Sequence, residues 1–221
     1  MDKDGQKFFI IDICGTLFKS NTTLDFIKFF WGDYILVKFL FSLPFRIFNR
    51  LVYRLCRLEP LRISLIRLLE GKSREELQSM AARFYEEFLL NRTNKSIMNL
   101  VEMKRREGFQ LILVSATLDI IAEEVSSRMK IPFLLSSALK YSPEGICMGK
   151  LQQDLLAQKC EKLADISIFP PYGGIVTDNY SDASLIEQTK EPFLVCYGAS
   201  EGRWAKQLSN KTIERCHFLK V

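Results

Sequence analysis

The stretch FFIIDICGTLF, Phe8 to Phe18, decides how the rest of the chain is read. Phe8 to Ile11 form an unbroken apolar run that stops at Asp12. Such a run fits a strand buried on both faces, as in a parallel sheet. Gly15-Thr16 then supplies a turn, so the spacing predicts a carboxylate presented at the end of a strand. Two positions beyond Asp12 stands Cys14, a thiol where a second acid would complete an acid–base pair.

Working outward, runs of the same kind recur at FQLILVSA (109–116), GGIVTD (173–178) and PFLVCYG (192–198). Between them, helical patterning covers roughly 94–107, 118–129, 153–165, 181–189 and 201–209. Alternation of that kind predicts βαβ units, hence an α/β fold with a Rossmann-like parallel sheet. Residues 20–92 break it: they read as helical throughout. The expected organisation is a core of 1–19 and 93–221, with 20–92 inserted after the first strand as an all-helical cap.

Composition excludes several classes. The 221 residues carry a net charge of +5, and 48% are hydrophobic, an ordinary globular balance. Six scattered cysteines without CxxC spacing and a single histidine, His217, argue against a zinc site. His217 is expected to be structural. The start carries no signal-peptide pattern, so free thiols in a cytoplasmic setting are expected. Nucleic acid is not expected as a partner, because the bases are interleaved with aliphatics and no recognition motif is present.

Working residues of such sheets collect at the carboxyl ends of the strands. That rule brings together Asp12, Ser115 with Thr117 in LVSAT, and Asp178 with Asp182 in TDNYSD. Two strand-end carboxylates repel unless a cation lies between them, and a few hard oxygen ligands completed by water suit Mg²⁺. A hydroxyl and a lysine nearby suit phosphate oxygens, and an aspartate beside them can attack phosphorus. Each residue alone has a plainer reading, as a helix cap, an Asx-turn or a solvated lysine.

In order and spacing, these segments resemble the haloacid dehalogenase superfamily, in particular its phosphoserine-phosphatase-like branch. Its first motif, Asp-x-Asp-Gly-Thr after an apolar strand, is similar to DICGT except at the third position. The resemblance extends to Ser115, to a lysine in GKLQQDLLAQKCEKL, and to TDNYSDASLI. It implies a Mg²⁺-dependent phosphatase on a small-molecule or lipid-linked phosphate. It implies Asp12 as nucleophile and metal ligand, the Cys14 carbonyl and Asp178 as further ligands, and Asp182 orienting lysine or water. Ser115 and Lys159, with Lys150 as the other candidate lysine, would hold phosphoryl oxygens, together with Gly15 and Thr16 of the first loop.

Cys14 is the departure. In the family, the acid at this position protonates the leaving alcohol and then activates water. A thiol with an ordinary pKa near 8.5 is a poor substitute, and general acid–base help is worth roughly 10²–10⁴-fold. Three readings stay open: an activated phosphoryl donor or an acid borrowed from cap or substrate; a long-lived phosphoenzyme serving transfer; or a weak relative that binds phosphorylated ligands. A cysteine-based phosphatase is excluded, since its loop needs an arginine where Ser20 stands.

The cap carries a second signal. Between Tyr34 and Arg67 the bases are Lys38, Arg46, Arg50, Arg54, Arg57, Arg62 and Arg67, against the single acid Glu59. Arg46, Arg50, Arg54 and Arg57 recur at helical spacing, with Ile47, Phe48, Leu51, Val52, Leu55 and Leu58 filling the remainder. Three uses are open: a helix packed on its neighbours with arginines in water, arginines facing the site to hold an anion, or peripheral contact with an anionic membrane.

Overall fold

A computed structural model describes residues 7–56, 60–198 and 201–221, with the side chains of 46 and 53–56 outside the description. Among the described residues, seven strands, β1 (Phe8–Ile11), β2 (Gln110–Leu118), β3 (Phe133–Tyr141), β4 (Cys147–Gln153), β5 (Tyr172–Thr177), β6 (Thr189–Cys196) and β7 (His217–Lys220), form one sheet. Their order is β4-β3-β2-β1-β5-β6-β7. All neighbours are parallel except β3 and β4. The α/β fold with a Rossmann-like sheet is therefore as the sequence predicts.

The unbroken apolar run has a direct cause. In β1, Phe9 and Ile11 join the core on one face of the sheet, while Phe8 and Ile10 join the core on the other. Each such fully buried side chain contributes about 1.5–3 kcal/mol. With β2 on one side and β5 on the other, β1 is central, and Asp12 leaves the sheet between their carboxyl ends.

The segment after β1 is helical: α1 (Thr22–Trp31), α2 (Ile35–Leu40), α3 (Leu43–Cys56), α4 (Pro60–Ile66) and α5 (Arg74–Phe84). Asn21 caps α1 by accepting from the Leu24 N–H, and Ser73 caps α5 by accepting from Glu76. Aromatic rings join these two helices: Phe26 meets Phe84 edge-on at 5.4 Å, and Phe29 meets Phe84 at 5.7 Å. Arg57 and Leu58 of the basic pattern lie outside the described residues, as do the side chains of Arg46, Arg54 and Leu55. No helix among the described residues is long and apolar enough to cross a membrane.

Arg62 of α4 fastens this segment to the sheet. Its Nη1 donates to both carboxylate oxygens of Asp154 at 2.8 and 2.7 Å, and its Nη2 donates to the Ala116 carbonyl and to Ser137 Oγ. Burial alone would raise the Asp154 pKa, but the guanidinium more than offsets it and holds the carboxyl below its ordinary value. A depressed carboxyl contributes stability above its unfolded value that is lost as pH falls through the folded one. Arg62→Leu should therefore cost about 2 kcal/mol at neutral pH and distinctly less at pH 3, as read by urea unfolding at both. That is less than the ~3–5 kcal/mol of a wholly buried pair, because the Asp154 side chain is 38% exposed and keeps part of its hydration. An equal loss at both pH values would exclude the ion pair as the cause.

The sheet is flanked by α6 (Lys95–Arg106), α7 (Asp119–Met129), α8 (Lys159–Asp165), α9 (Ala183–Glu187), α10 (Glu201–Trp204) and α11 (Asn210–Ile213). Three expected helices are shorter than the pattern suggested. Residues up to Gln153 belong to β4, which pairs with β3 through Leu139–Leu151, so the helix expected over 153–165 starts at Lys159. The helix expected over 181–189 is replaced by a 3-10 turn, Tyr180–Asp182, followed by α9, and Thr189 already begins β6. The one expected over 201–209 ends at Trp204.

Candidate active site

Asp12 follows β1 and is fixed from three sides. Its N–H donates to the Val176 carbonyl, its Oδ1 accepts from the Ile13 N–H at 2.8 Å, and its Oδ2 lies 3.1 Å from Lys159 Nζ. Lys159, on the first turn of α8, is buried and also reaches Asp182 Oδ2 at 2.7 Å. Burial by itself would lower the lysine pKa. The two carboxylates more than offset it, so the ammonium is held above its ordinary range. Lys150, the other candidate, is exposed on β4. The fold thus brings Lys159 to Asp12 and leaves Lys150 in solvent.

The carboxyl end of β5 contributes Thr177 and Asp178. Thr177 Oγ1 donates to Asp182 Oδ2 at 2.7 Å and accepts from the Asn179 N–H. Thr16 Oγ1 donates to Asp178 Oδ1 and accepts from the Asp178 N–H, both at 3.0 Å. Burial first, and the charge of Asp12 second, push the Asp178 carboxyl up to about 7. Gly15 sits at φ +69°, and a Cβ there would stand 2.1 Å from Asp178 Oδ2. Only glycine lets the first loop and Asp178 approach so closely.

Gly15 and Thr16 are therefore employed on the loop and on Asp178. The Gly15 N–H donates to the Ser20 carbonyl and the Thr16 N–H to Ile13, and neither residue lines the cavity above the site. Here both residues support the loop and Asp178.

That cavity, of 430 Å³, is walled by Asp12, Cys14, Ser115 and Asp178 from the sheet and by Thr22, Asn49 and Arg62 from the helical segment. Ser115 Oγ is part of a buried hydroxyl chain: it lies 3.0 Å from Thr117 Oγ1, which lies 2.7 Å from Thr22 Oγ1. Cys14 donates its thiol to the Ser20 carbonyl at 3.4 Å. Burial, then the charges of Asp12 and Asp178, push this thiol up to about 12, so it is neutral at physiological pH. His217 stands apart, its ring stacked on Phe193 at 4.7 Å in the edge strand β7.

The donor set suits a small hard divalent cation. A positive charge between Asp12 and Asp178 would relieve the repulsion that raises Asp178. Among the described residues no group of three or more His, Cys, Asp or Glu side chains could hold a metal ion. A cation here must complete its shell with backbone carbonyl and water, as Mg²⁺ does.

Sequence reasoning missed Thr177, Thr22 and the Arg62–Asp154 latch. Thr177 had a signal, since it directly precedes the strand-end Asp178. Thr22 and Asp154 had none, because their roles exist only through contacts across long sequence separations.

Among curated protein sequences, none matches this chain. Among solved structures, it is similar to a protein of unknown function from Bordetella pertussis Tohama I, with TM-score 0.75 and 14% identity over 97% of this chain and 98% of that one. It is also similar to a substrate-bound phosphoserine phosphatase, with TM-score 0.63 and 15% identity over 97% and 94%. A phosphoserine phosphohydrolase-like protein from Francisella tularensis subsp. tularensis SCHU S4 follows the same course, with TM-score 0.61 and 14% identity over 97% and 95%. At such identities the likeness is one of fold. The family model for haloacid dehalogenase-like hydrolases matches residues 9–186, a span that runs from the central strand through Asp12, Ser115, Lys159 and Asp178 to α9, and the chain belongs to that family.

Proposed function

We propose that the protein is a Mg²⁺-dependent phosphohydrolase in which Asp12 attacks phosphorus, and that it acts on small-molecule or lipid-linked phosphates with weakly basic leaving groups. The observation that carries this reading is the pairing of a fixed, lysine-backed Asp12 with a neutral Cys14 in the same cavity.

Asp12, Asp178 and the Cys14 carbonyl would hold the cation, which when bound neutralises phosphoryl charge. The Asp12 carboxylate forms a bond to phosphorus as the bond to the leaving oxygen breaks, giving an aspartyl-phosphate. Lys159, 3.1 Å from that carboxylate, balances the charge it receives. Ser115 offers its hydroxyl from the cavity wall. Water then attacks phosphorus, releasing phosphate and restoring Asp12. Asp182 and Thr177 keep Lys159 in place through both steps.

The leaving group must depart as its anion or take a proton from elsewhere. A thiol held near 12 has little tendency to give one up. Acyl, aryl and anhydride leaving groups need no such help, whereas an alkoxide does. Wild-type protein should therefore release phosphate from acetyl phosphate or p-nitrophenyl phosphate in Mg²⁺, with release abolished by EDTA. Hydrolysis of glycerol phosphate should be slower on the order of 10²–10⁴-fold than an enzyme with a carboxylic acid at this position would allow. Equal rates on aryl and alkyl esters would overturn the leaving-group restriction. No release from either would favour the transferase or ligand-binding readings.

A further inference from the structure

The helical segment presents a broad apolar surface that the phosphate chemistry does not use. Ile35, Leu36 and Phe39 of α2 and Leu43, Ile47 and Leu51 of α3 all stand in solvent, Ile35 at 86% and Leu43 at 68% exposure. On α3, positions 43, 47 and 51 fall on one stripe by helical spacing. The two helices are joined by rings: Phe39 meets Phe45 at 5.8 Å, and Phe45 meets Phe48 at 5.7 Å. Both helices thus carry exposed apolar side chains, and the stripe at 43, 47 and 51 is not packed against the neighbouring helices. So many exposed large apolar side chains on two adjoining helices point to an interaction surface.

Charge says what covers it. Across Tyr34–Arg67 seven bases stand against one acid. Of these, Arg62 is consumed by Asp154, and Lys38 has Asp33 at 3.5 Å. Arg50 and Arg67 are exposed, and Arg50 lies within the outer arc of α3 beside the apolar stripe. A second copy of this chain on the same patch would set these bases against their own kind, at a cost. An anionic bilayer surface offers the opposite sign and an apolar layer beneath it. At 14 residues α3 is too short to span, so it would lie in the interface plane.

We propose that the α2–α3 face docks on anionic lipid membranes, with the apolar stripe among the acyl chains and Lys38 and Arg50 on the headgroups. Asn49, on the inner side of α3, accepts from the Leu61 N–H at 2.9 Å and lines the catalytic cavity. Docking therefore places one wall of that cavity at the membrane surface.

The test is co-sedimentation with vesicles of phosphatidylcholine alone and of phosphatidylcholine mixed with phosphatidylglycerol. Wild type should bind the anionic vesicles, bind the neutral ones far less, and be released by high salt. Ile47→Asp with Leu51→Asp, both on exposed positions, should lower partitioning by at least about tenfold. Lys38→Gln and Arg50→Gln should each lower it on the order of fivefold. Asp12→Asn should bind as wild type, so failure of the catalytic reading and failure of docking are told apart. Absence of wild-type binding to anionic vesicles would overturn the proposal without reliance on any variant. So would binding unmoved by the Asp pair, or a dimer in sedimentation that the same pair abolishes while vesicles remain unbound.

Discussion

Asp12→Asn is expected to lower Mg²⁺-dependent phosphate release by at least about 10⁴-fold, the scale of losing a covalent nucleophile. The substitution leaves the surroundings of the side chain intact. An asparagine has the shape of the aspartate, and its oxygen can still accept from the Ile13 N–H as Asp12 Oδ1 does. Lys159 keeps Asp182 at 2.7 Å, and Thr177 keeps Asp182 in turn, so the lysine is not stranded. The lost contact to Lys159 is partly offset by removal of the Asp12 charge, which after burial is what raises Asp178. Stability should change little while the nucleophile vanishes, because an amide oxygen is a very poor attacking group. Acid quenching during turnover of acetyl phosphate should trap a hydroxylamine-sensitive phosphoryl adduct on wild type and none on the variant. Retention of more than a tenth of the activity would mean that another group attacks phosphorus.

What the sequence reveals depends on where each residue's role is written. β1 was legible because cores on both faces demand apolar residues at every position of Phe8–Ile11. Edge strands carry no such demand. β4 alternates buried with exposed positions in CMGKLQQ, β3, though interior to the sheet, buries only Ser137 and Leu139 of FLLSSALKY, and β7 pairs only with β6, so all three escaped notice.

The candidate site divides in the same way. Asp12 and Asp178 were visible because a parallel sheet gathers its strand ends, and topology needs no side-chain knowledge. The sequence favoured Lys159 over Lys150 without deciding between them. The decision depends on β4 running antiparallel and ending at Gln153, which turns Lys150 outward and lets α8 deliver Lys159. Arg62 looked like one more member of a basic row, yet its guanidinium is buried on Asp154. Helical spacing showed that α3 has an apolar stripe but not whether anything covers it. That answer required the neighbouring helices.

Cys14→Asp is expected to raise turnover of alkyl phosphates on the order of 10²–10⁴-fold, with a much smaller effect on acyl or aryl phosphates. The site favours such an acid for reasons already acting on the thiol. Burial and the charges of Asp12 and Asp178 push Cys14 up to about 12. The same surroundings would raise a carboxyl from its ordinary value toward neutrality, keeping it protonated as the leaving oxygen departs. A protonated carboxyl could also donate to the Ser20 carbonyl, which now accepts from the thiol, so the loop need not change course. The sign of the pH dependence follows. An acid must hold its proton to help, so the gain on alkyl esters should fade as pH rises through the raised value, while wild type lacks that limb. A bound cation would draw the value down and shift the limb to lower pH, which titration at several Mg²⁺ concentrations would show. Cys14→Ser is the control: a hydroxyl of similar size supplies no acid and should gain nothing. If Cys14→Asp and Cys14→Ser behave alike on alkyl esters, the missing acid is not what restricts this enzyme, and the leaving-group selection must arise in the walls of the cavity.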